Sequence, residues 1–420
     1  MLTIAFVVSA LQLLVAASPS PLPNGVQQID LARRQVHNAT APADVDGITA
    51  QIEGTLTKHA VGFDAFKENV GQVHPLVADL TGVTKRAPSS GQTPLVSDSG
   101  MWLGSMTAGT PVQGPFRVGF DTGSASLLLI NAACTSTDCQ SHPRYNPAVS
   151  TTSTDRKQQF NLKITDTETV SGQQYADTVS VVGVSATGQV LGAASTYPTS
   201  FNTLDNPPDG RMGLGYQAIS AYKSPSVPQT LVAQNALVAP VFTFYMGPNT
   251  PLGPVTPRIT FGAIDGTSYQ GAITYTPVTT KGFWQINLDS VQANGQKSVG
   301  RTPAIIDTGS SLIVGDRANV ERFYATVPGA QAFKNGLYTV PCDNIPAVTI
   351  SIGGTAFPID PQYFNQGPVS VGSTQCVGGI VAAPTTKPPM RYWSIGDVFL
   401  MNVYSIFDLG ANRVGFATST

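Results

Sequence analysis

The chain contains Asp-Thr-Gly-Ser twice, as Asp121-Thr122-Gly123-Ser124 and Asp307-Thr308-Gly309-Ser310. Each copy sits inside an apolar run, "GFDTGSASLLL" in the first half and "AIIDTGSSLIVG" in the second. A carboxylate in such surroundings is costly unless it is hydrogen-bonded or paired. One copy alone reads as a turn whose Asp accepts backbone hydrogen bonds. The two together say more, because a second motif follows each at nearly the same distance. In "GRMGLGY" Gly213 stands 92 residues after Asp121, and in "WSIGDVF" Gly396 stands 89 residues after Asp307. Self-similarity of this kind indicates two related halves, each with one Asp-Thr-Gly and one glycine flanked by apolar residues.

With 420 residues the chain can build a large core, and length alone suggests two or three domains. Charged residues make up 11%, with 41 Gly and 32 Pro, which fits an all-β secreted protein better than a cytosolic helical one. The formal net charge of -2 gives no basic surface for nucleic acid. Residues 1–17 read as a signal peptide, with an apolar run from Leu2 and the small-residue exit Val15-Ala16-Ala17. The rival, a membrane anchor, needs roughly 20 apolar residues. This run is shorter and is followed by Pro19, Pro21 and Pro23. The C-terminal "FDLGANRVGFATST" has no apolar tail for a lipid-linked anchor.

Residues 18–86 differ in character. They hold three of the four histidines, His37, His59 and His74, and end in Lys85-Arg86, a pair of the kind that kexin-type proteases cut. The segment reads as a propeptide; the plainer alternative is a basic pair in a loop. The sequon Asn38-Ala39-Thr40 would leave with it. All four cysteines lie beyond Arg86 and allow three pairings. Cys134 with Cys139 and Cys342 with Cys376 are the natural pairs in an oxidising compartment. The spacing does not suit zinc. "VTISIGGTAFPI" reads as a hairpin, and "RITFG" and "FTFYMG" as short strands. A helix is expected from Asp316, with Val320, Phe323, Tyr324 and Val327 on one face, stopping at Pro328-Gly329.

The motifs are similar to those of the pepsin-type aspartic proteases (family A1), particularly the secreted fungal members. "WLGSMTAGTPVQGPFRVGFDTGS" resembles the family's first hairpin and catalytic loop, and "CTSTDC" its small disulfide loop. "KGFWQINLDSVQANG" resembles the segment before the second loop, and "YWSIGDVFLMNVYSIFDLGANRVGFA" the C-terminal block. The resemblance implies an all-β, bilobal fold with a cleft between two pseudo-twofold-related lobes, 87–270 with Asp121 and 271–420 with Asp307. It implies that these two aspartates share one water and one proton. Adjacent carboxylates cannot both ionise easily, so one serves as base and the other as acid. Gly123 and Gly309 then allow tight turns, Thr122 and Thr308 exchange hydrogen bonds across the axis, and Ser124 and Ser310 bond the outer carboxylate oxygens.

The chain also departs from the family. The flap that covers the cleft usually carries a Tyr. Here the tip is "ITDTETVSG", with Thr165 or Asp166 at that position and Glu168 nearby. Tyr175 is too far along to substitute simply. The family's Trp seven residues after the first Asp, which bonds the flap Tyr, is Leu128. Arg211 replaces an aliphatic residue lining the pocket before the scissile bond, and Gly119 replaces a larger apolar one. These changes suggest a more polar pocket, in which Arg211 pairs with a flap carboxylate, favours an acidic or polar substrate side chain, or extends to solvent. His142, in the polar "QSHPRYNP" loop, is expected at the surface, which leaves no Ser-His-Asp arrangement in the mature part.

The expectation is a secreted, acid-active aspartic endopeptidase made as a zymogen, monomeric, with protein or peptide substrates and its own propeptide as inhibitor. A propeptide lysine, Lys58 or Lys67, would pair with the dyad. No nucleic acid, membrane anchor, metal or organic cofactor is implied. An acidic vacuole is the alternative location. The alternative function is a protein- or peptide-binding member of the same fold, although such relatives often lose one Asp-Thr-Gly and this chain keeps both. A structural wall or carbohydrate-binding protein has no supporting motif.

Overall fold

The computed structural model describes residues 27–31, 41–80, 101–164, 168–197, 207–247, 249–250, 253–254, 256–385 and 389–420. The signal segment, Asn38, Lys85-Arg86 and Asp166 lie outside the described residues. A short strand β1 (Gln27–Asp30) precedes a long helix α1 (Val45–Val70). There follow β2 (Leu103–Ala108), β3 (Gln113–Asp121), β4 (Leu127–Ile130), β5 (Thr154–Lys163), β6 (Thr169–Val181), β7 (Val184–Ala194) and β8 (Gly210–Gly213). These seven make one sheet in the order β2-β3-β8-β4-β7-β6-β5. At its centre β8 runs parallel to β3 and antiparallel to β4, and β4 runs parallel to β7.

The second half repeats that scheme. Strand Trp393–Ile395 runs parallel to Thr302–Ile306 and antiparallel to Ile313–Gly315, which runs parallel to Ile380–Ala382. The repeated glycines mark the tightest point of each scheme. A Cβ on Gly213 would collide with the backbone of Ala125 and Ser126, and one on Gly396 with the carbonyls of Ser310 and Leu312. Only glycine lets each returning strand pass beneath its Asp-Thr-Gly loop.

A six-stranded sheet joins the halves. Strands Val241–Tyr245 and Arg258–Phe261 pair through Val403–Asp408 with the C-terminal strands, and β1 adds to the edge beside Arg258–Phe261. A cut at residue 270 therefore falls inside Tyr269–Pro277, a strand of this shared sheet. The architecture is mostly β, as expected of the bilobal pepsin-like fold. "VTISIGGTAFPI" forms the hairpin Val348–Ile352 and Thr355–Ile359, turned by Gly353 and Gly354 at φ 59° and 82°. Two-residue hairpin turns need such positive angles to match strand twist. Asp316 caps the helix Arg317–Tyr324 by accepting from Asn319 N, with Val320, Phe323 and Tyr324 buried. The disulfides join Cys134 to Cys139 and Cys342 to Cys376. Among the described residues no helix is long and apolar enough to cross a membrane.

The 26-residue α1 has no counterpart in the sequence-based expectations. Asp44 caps its N-terminus by accepting from Gly47 N, and Gly71 ends it at φ 77°. Its buried stripe is Ile48, Ile52, Thr55, His59, Gly62 and Phe66, spaced alternately four and three residues apart. That is helical spacing. Three of the six positions are polar or glycine, so an apolar search passes over it.

Candidate active site

Asp121 ends β3, and Asp307 follows strand Thr302–Ile306 directly. Both carboxylates are buried. Each loop supplies the same two donors. Gly123 N donates to Asp121 Oδ1 (2.9 Å) and Ser124 Oγ to Asp121 Oδ2 (2.6 Å). Gly309 N donates to Asp307 Oδ1 (3.0 Å) and Ser310 Oγ to Asp307 Oδ2 (2.8 Å). Thr122 N donates to Thr308 Oγ1 (3.0 Å) and Thr308 N to Thr122 Oγ1 (2.9 Å). The hydroxyls donate onward, Thr122 to Ile306 O (2.8 Å) and Thr308 to Phe120 O (2.9 Å). This closed exchange satisfies the N–H and hydroxyl of both threonines and fixes the spacing of the loops. A Cβ on Gly123 would strike the Asp307 carboxylate, and one on Gly309 the Asp121 carboxylate.

Residues 101–419 match the family described as eukaryotic aspartyl protease. The chain belongs to that family. It is 38% identical to an aspartic protease of Phaffia rhodozyma over 80% of each chain. It is 35% identical to cathepsin E-A of Xenopus laevis, over 75% of this chain and 79% of the relative. It is 34% identical to human gastricsin, over 78% and 83% respectively. The chain is thus an aspartic endopeptidase, a hydrolase.

In this protease α1 lies across both loops. Lys58 Nζ is 2.9 Å from Asp121 Oδ1 and 2.7 Å from Asp307 Oδ1, so one ammonium bridges the two inner oxygens. Burial alone would lower the lysine's pKa; the charges of Asp121 and Asp307 outweigh it and hold the pKa above the ordinary lysine value. Burial would likewise raise Asp307, but the Lys58 charge and the His59 hydrogen bond bring its pKa well below the usual carboxylate range. His59 Nε2 donates to Asp307 Oδ2 (2.8 Å), and the Tyr392 hydroxyl lies 3.3 Å from His59 Nδ1. Thr55 donates to Ser310 Oγ (2.8 Å). Lys67, the other candidate, is exposed in the last turn of α1. His59 was not singled out from the sequence. Its only sign was adjacency to a candidate lysine.

The helix packs as closely as its glycine allows. Gly62 lies against the Phe283 ring, where a Cβ would collide. His74, just beyond α1, is buried among Phe63, Phe66 and Phe283, with ring centroids 5.0, 4.7 and 5.9 Å away. Among the described residues its Nε2 has no hydrogen-bond partner, and burial pushes its pKa down to about 4. Beside α1 a cavity of about 680 Å³ remains, bordered by Val61, Phe63, Phe160, Leu162 and Met390.

The departures from the family fall in one place. Arg211 is in register with Gly119 on one side and Leu128 on the other. Leu128 packs with Phe160, Leu162, Ile164, Val170 and Tyr222, filling the space under the tip end of the β5–β6 hairpin with apolar side chains. That hairpin pairs up to Lys163 and Thr169, and Ile164 N donates to Glu168 O (2.9 Å). Arg211 does not pair with Glu168. Its ion partner among the described residues is Asp121, with Nε 3.8 Å from Oδ2. His142 also differs from expectation. It is buried, and its Nδ1 lies 2.8 Å from Asp209 Oδ1. A residue 67 positions away satisfies it, which a polar local sequence does not reveal.

Proposed function

We propose that this aspartic endopeptidase is a secreted, acid-active enzyme made as a zymogen, in which Asp121 and Asp307 are the catalytic pair. The observation that carries this reading is the single ammonium bridging both inner oxygens. A group within hydrogen-bond distance of both carboxylates stands where a shared water would have to stand. With Lys58 withdrawn, one ionised Asp accepts a proton from that water as it attacks the peptide carbonyl. The protonated Asp gives its proton to the carbonyl oxygen; the first Asp then passes the water's proton to the leaving nitrogen while the second takes one back from the diol, which collapses to amine and acid. The loop glycine N–H groups and serine hydroxyls hold each carboxylate through both protonation states. No covalent intermediate forms.

In this reading residues 18–86 are the propeptide and intramolecular inhibitor, with processing after Lys85-Arg86 and the Asn38 sequon removed alongside it. Residues 1–17 direct secretion, and the mature enzyme works as a monomer on protein or peptide substrates outside the cell. The full chain and its Asp121→Asn twin are incubated with a mixed peptide library at about pH 3–4 and at pH 7, with products read by mass spectrometry. Cleavage in acid alone, absent in the twin, is the expected result. No cleavage by the folded, processed wild type would reject the catalytic reading and leave a peptide-binding protein.

A further inference from the structure

Arg211 places a cation in the wall beside Asp121. Its side chain is 18% exposed, and its Nε stands 3.8 Å from Asp121 Oδ2, too far for a hydrogen bond. That oxygen already accepts from Ser124. Among the described residues the guanidinium makes no hydrogen bond, so a planar fork of five donors, suited to a carboxylate, is unused. Arg211 opens onto a narrow gap between the wall and α1, and Lys163 of β5 lines the same gap. From α1 the gap meets Val61 and Gly62, which bring no carboxylate. On the adjoining strand the space over Gly119 is taken by the Met101 side chain, which brings no charge, and Leu128 supplies only apolar surface on the other side. Among the described residues the charged and titratable groups around the gap are Asp121 from β3, Lys163 from β5, Lys58 from α1, and Tyr222, whose buried hydroxyl feels the Arg211 charge. Lys58 leaves with α1.

We propose that Arg211 makes this protease prefer a carboxylate side chain on the substrate residue flanking the scissile bond on the Asp121 side. This rests on the reading of Asp121 and Asp307 as the catalytic pair. An uncharged side chain entering this gap leaves the guanidinium fork without a hydrogen-bond acceptor in a partly dry wall, whereas Glu or Asp engages it in a charge-assisted pair. The preference requires an ionised substrate. Free Glu titrates near about 4.3, so discrimination is small at pH 3 and grows toward pH 5.5.

The test uses the full chain after acid treatment, with peptides that differ only at the flanking residue, Glu, Gln or Leu. The Asp121→Asn, Arg211→Met and Arg211→Lys variants are assayed beside it at pH 3 and 5.5. At pH 5.5 the wild type should cleave the Glu peptide with kcat/KM at least about tenfold above its Gln twin. The ratio should fall toward one at pH 3. Arg211→Met should lose the ratio while still cutting the Leu peptide, and Arg211→Lys, which keeps the charge without the fork, should retain part of it. No Glu preference in the wild type at pH 5.5, or an undiminished one in Arg211→Met, overturns the proposal. If Arg211→Met does not fold, the wild-type pH series and Arg211→Lys decide. Cleavage by Asp121→Asn equal to the wild type would reject the catalytic pair itself, a separate failure.

Discussion

Beside Asp121 the strands in register place Gly119, Arg211 and Leu128 in a row. Beside Asp307 the matching row, set by the same pairing scheme, is Ile305, Ser394 and Val314, all buried. The second row is sealed, and the first holds a cation reaching toward its carboxylate. Helix α1 is equally uneven. Apart from the shared Lys58, it sends His59 to Asp307 and Thr55 to Ser310, both in the second loop. The outer oxygen of Asp121 has Arg211 as its further neighbour. Backbone symmetry therefore fixes where the two carboxylates meet, and the neighbouring side chains decide what each one senses. The duplicated loops hold the two carboxylates alike, and the side chains in the rows beside them differ.

The largest effect expected on that comparison comes from Lys58→Met. It leaves two buried carboxylates without their shared cation, and removing one partner of a buried pair costs about 3–5 kcal/mol. Amide hydrogen exchange over 45–70 at pH 7 should lose most of its protection; unchanged protection would mean that packing alone seats the helix. His59→Gln should weaken docking less, by about 1.5–3 kcal/mol, since one hydrogen bond to a charged group is lost. An exchange rate equal to the wild type in that variant would remove the asymmetry in how the helix grips the two loops.

The pH dependence has a definite sign. Asp307 has a depressed pKa, so its contribution to docking is present above the ordinary carboxylate value and is lost as pH falls through the depressed one. Lys58 has a raised pKa, so its contribution persists throughout the acid range and is lost only as pH rises past the ordinary lysine value. His74 is held neutral with a pKa of about 4. Its burial favours docking fully above about 6.5 and progressively less as pH falls toward 4. Release of α1 should begin below about pH 6.5 and steepen below about 4. His74→Phe should abolish the first part and leave the second, the smallest of these effects; a release curve unchanged by that substitution would exclude His74 as a contributor.

Much of this architecture can be read from the chain because the motifs are local. Asp-Thr-Gly-Ser packs a carboxylate, a turn and two donors into four residues, and the matched Gly213 and Gly396 identify the strands beneath. The sequence narrows the bridging lysine to Lys58 or Lys67, but choosing requires the phase of α1. That phase is obscured because the buried stripe spends Thr55 and His59 on partners in the second loop and keeps Gly62 for close approach to Phe283. His142 escapes for a related reason, as its partner Asp209 comes from another part of the chain. Arg211 stands out in sequence as an oddity, but only the register of three strands shows that Gly119 and Leu128 belong with it.

The most direct measurement is a series of short hydrogen-exchange pulses on the full chain from pH 7 to pH 3, with the intrinsic pH dependence divided out. The account predicts that residues 45–70 are protected near neutrality and open at the acid end while β3, β8 and strand Thr302–Ile306 stay protected. Persistent protection of α1 at pH 3, or its loss only together with those strands, would contradict a helix held over the two aspartates by charges that acid dismantles.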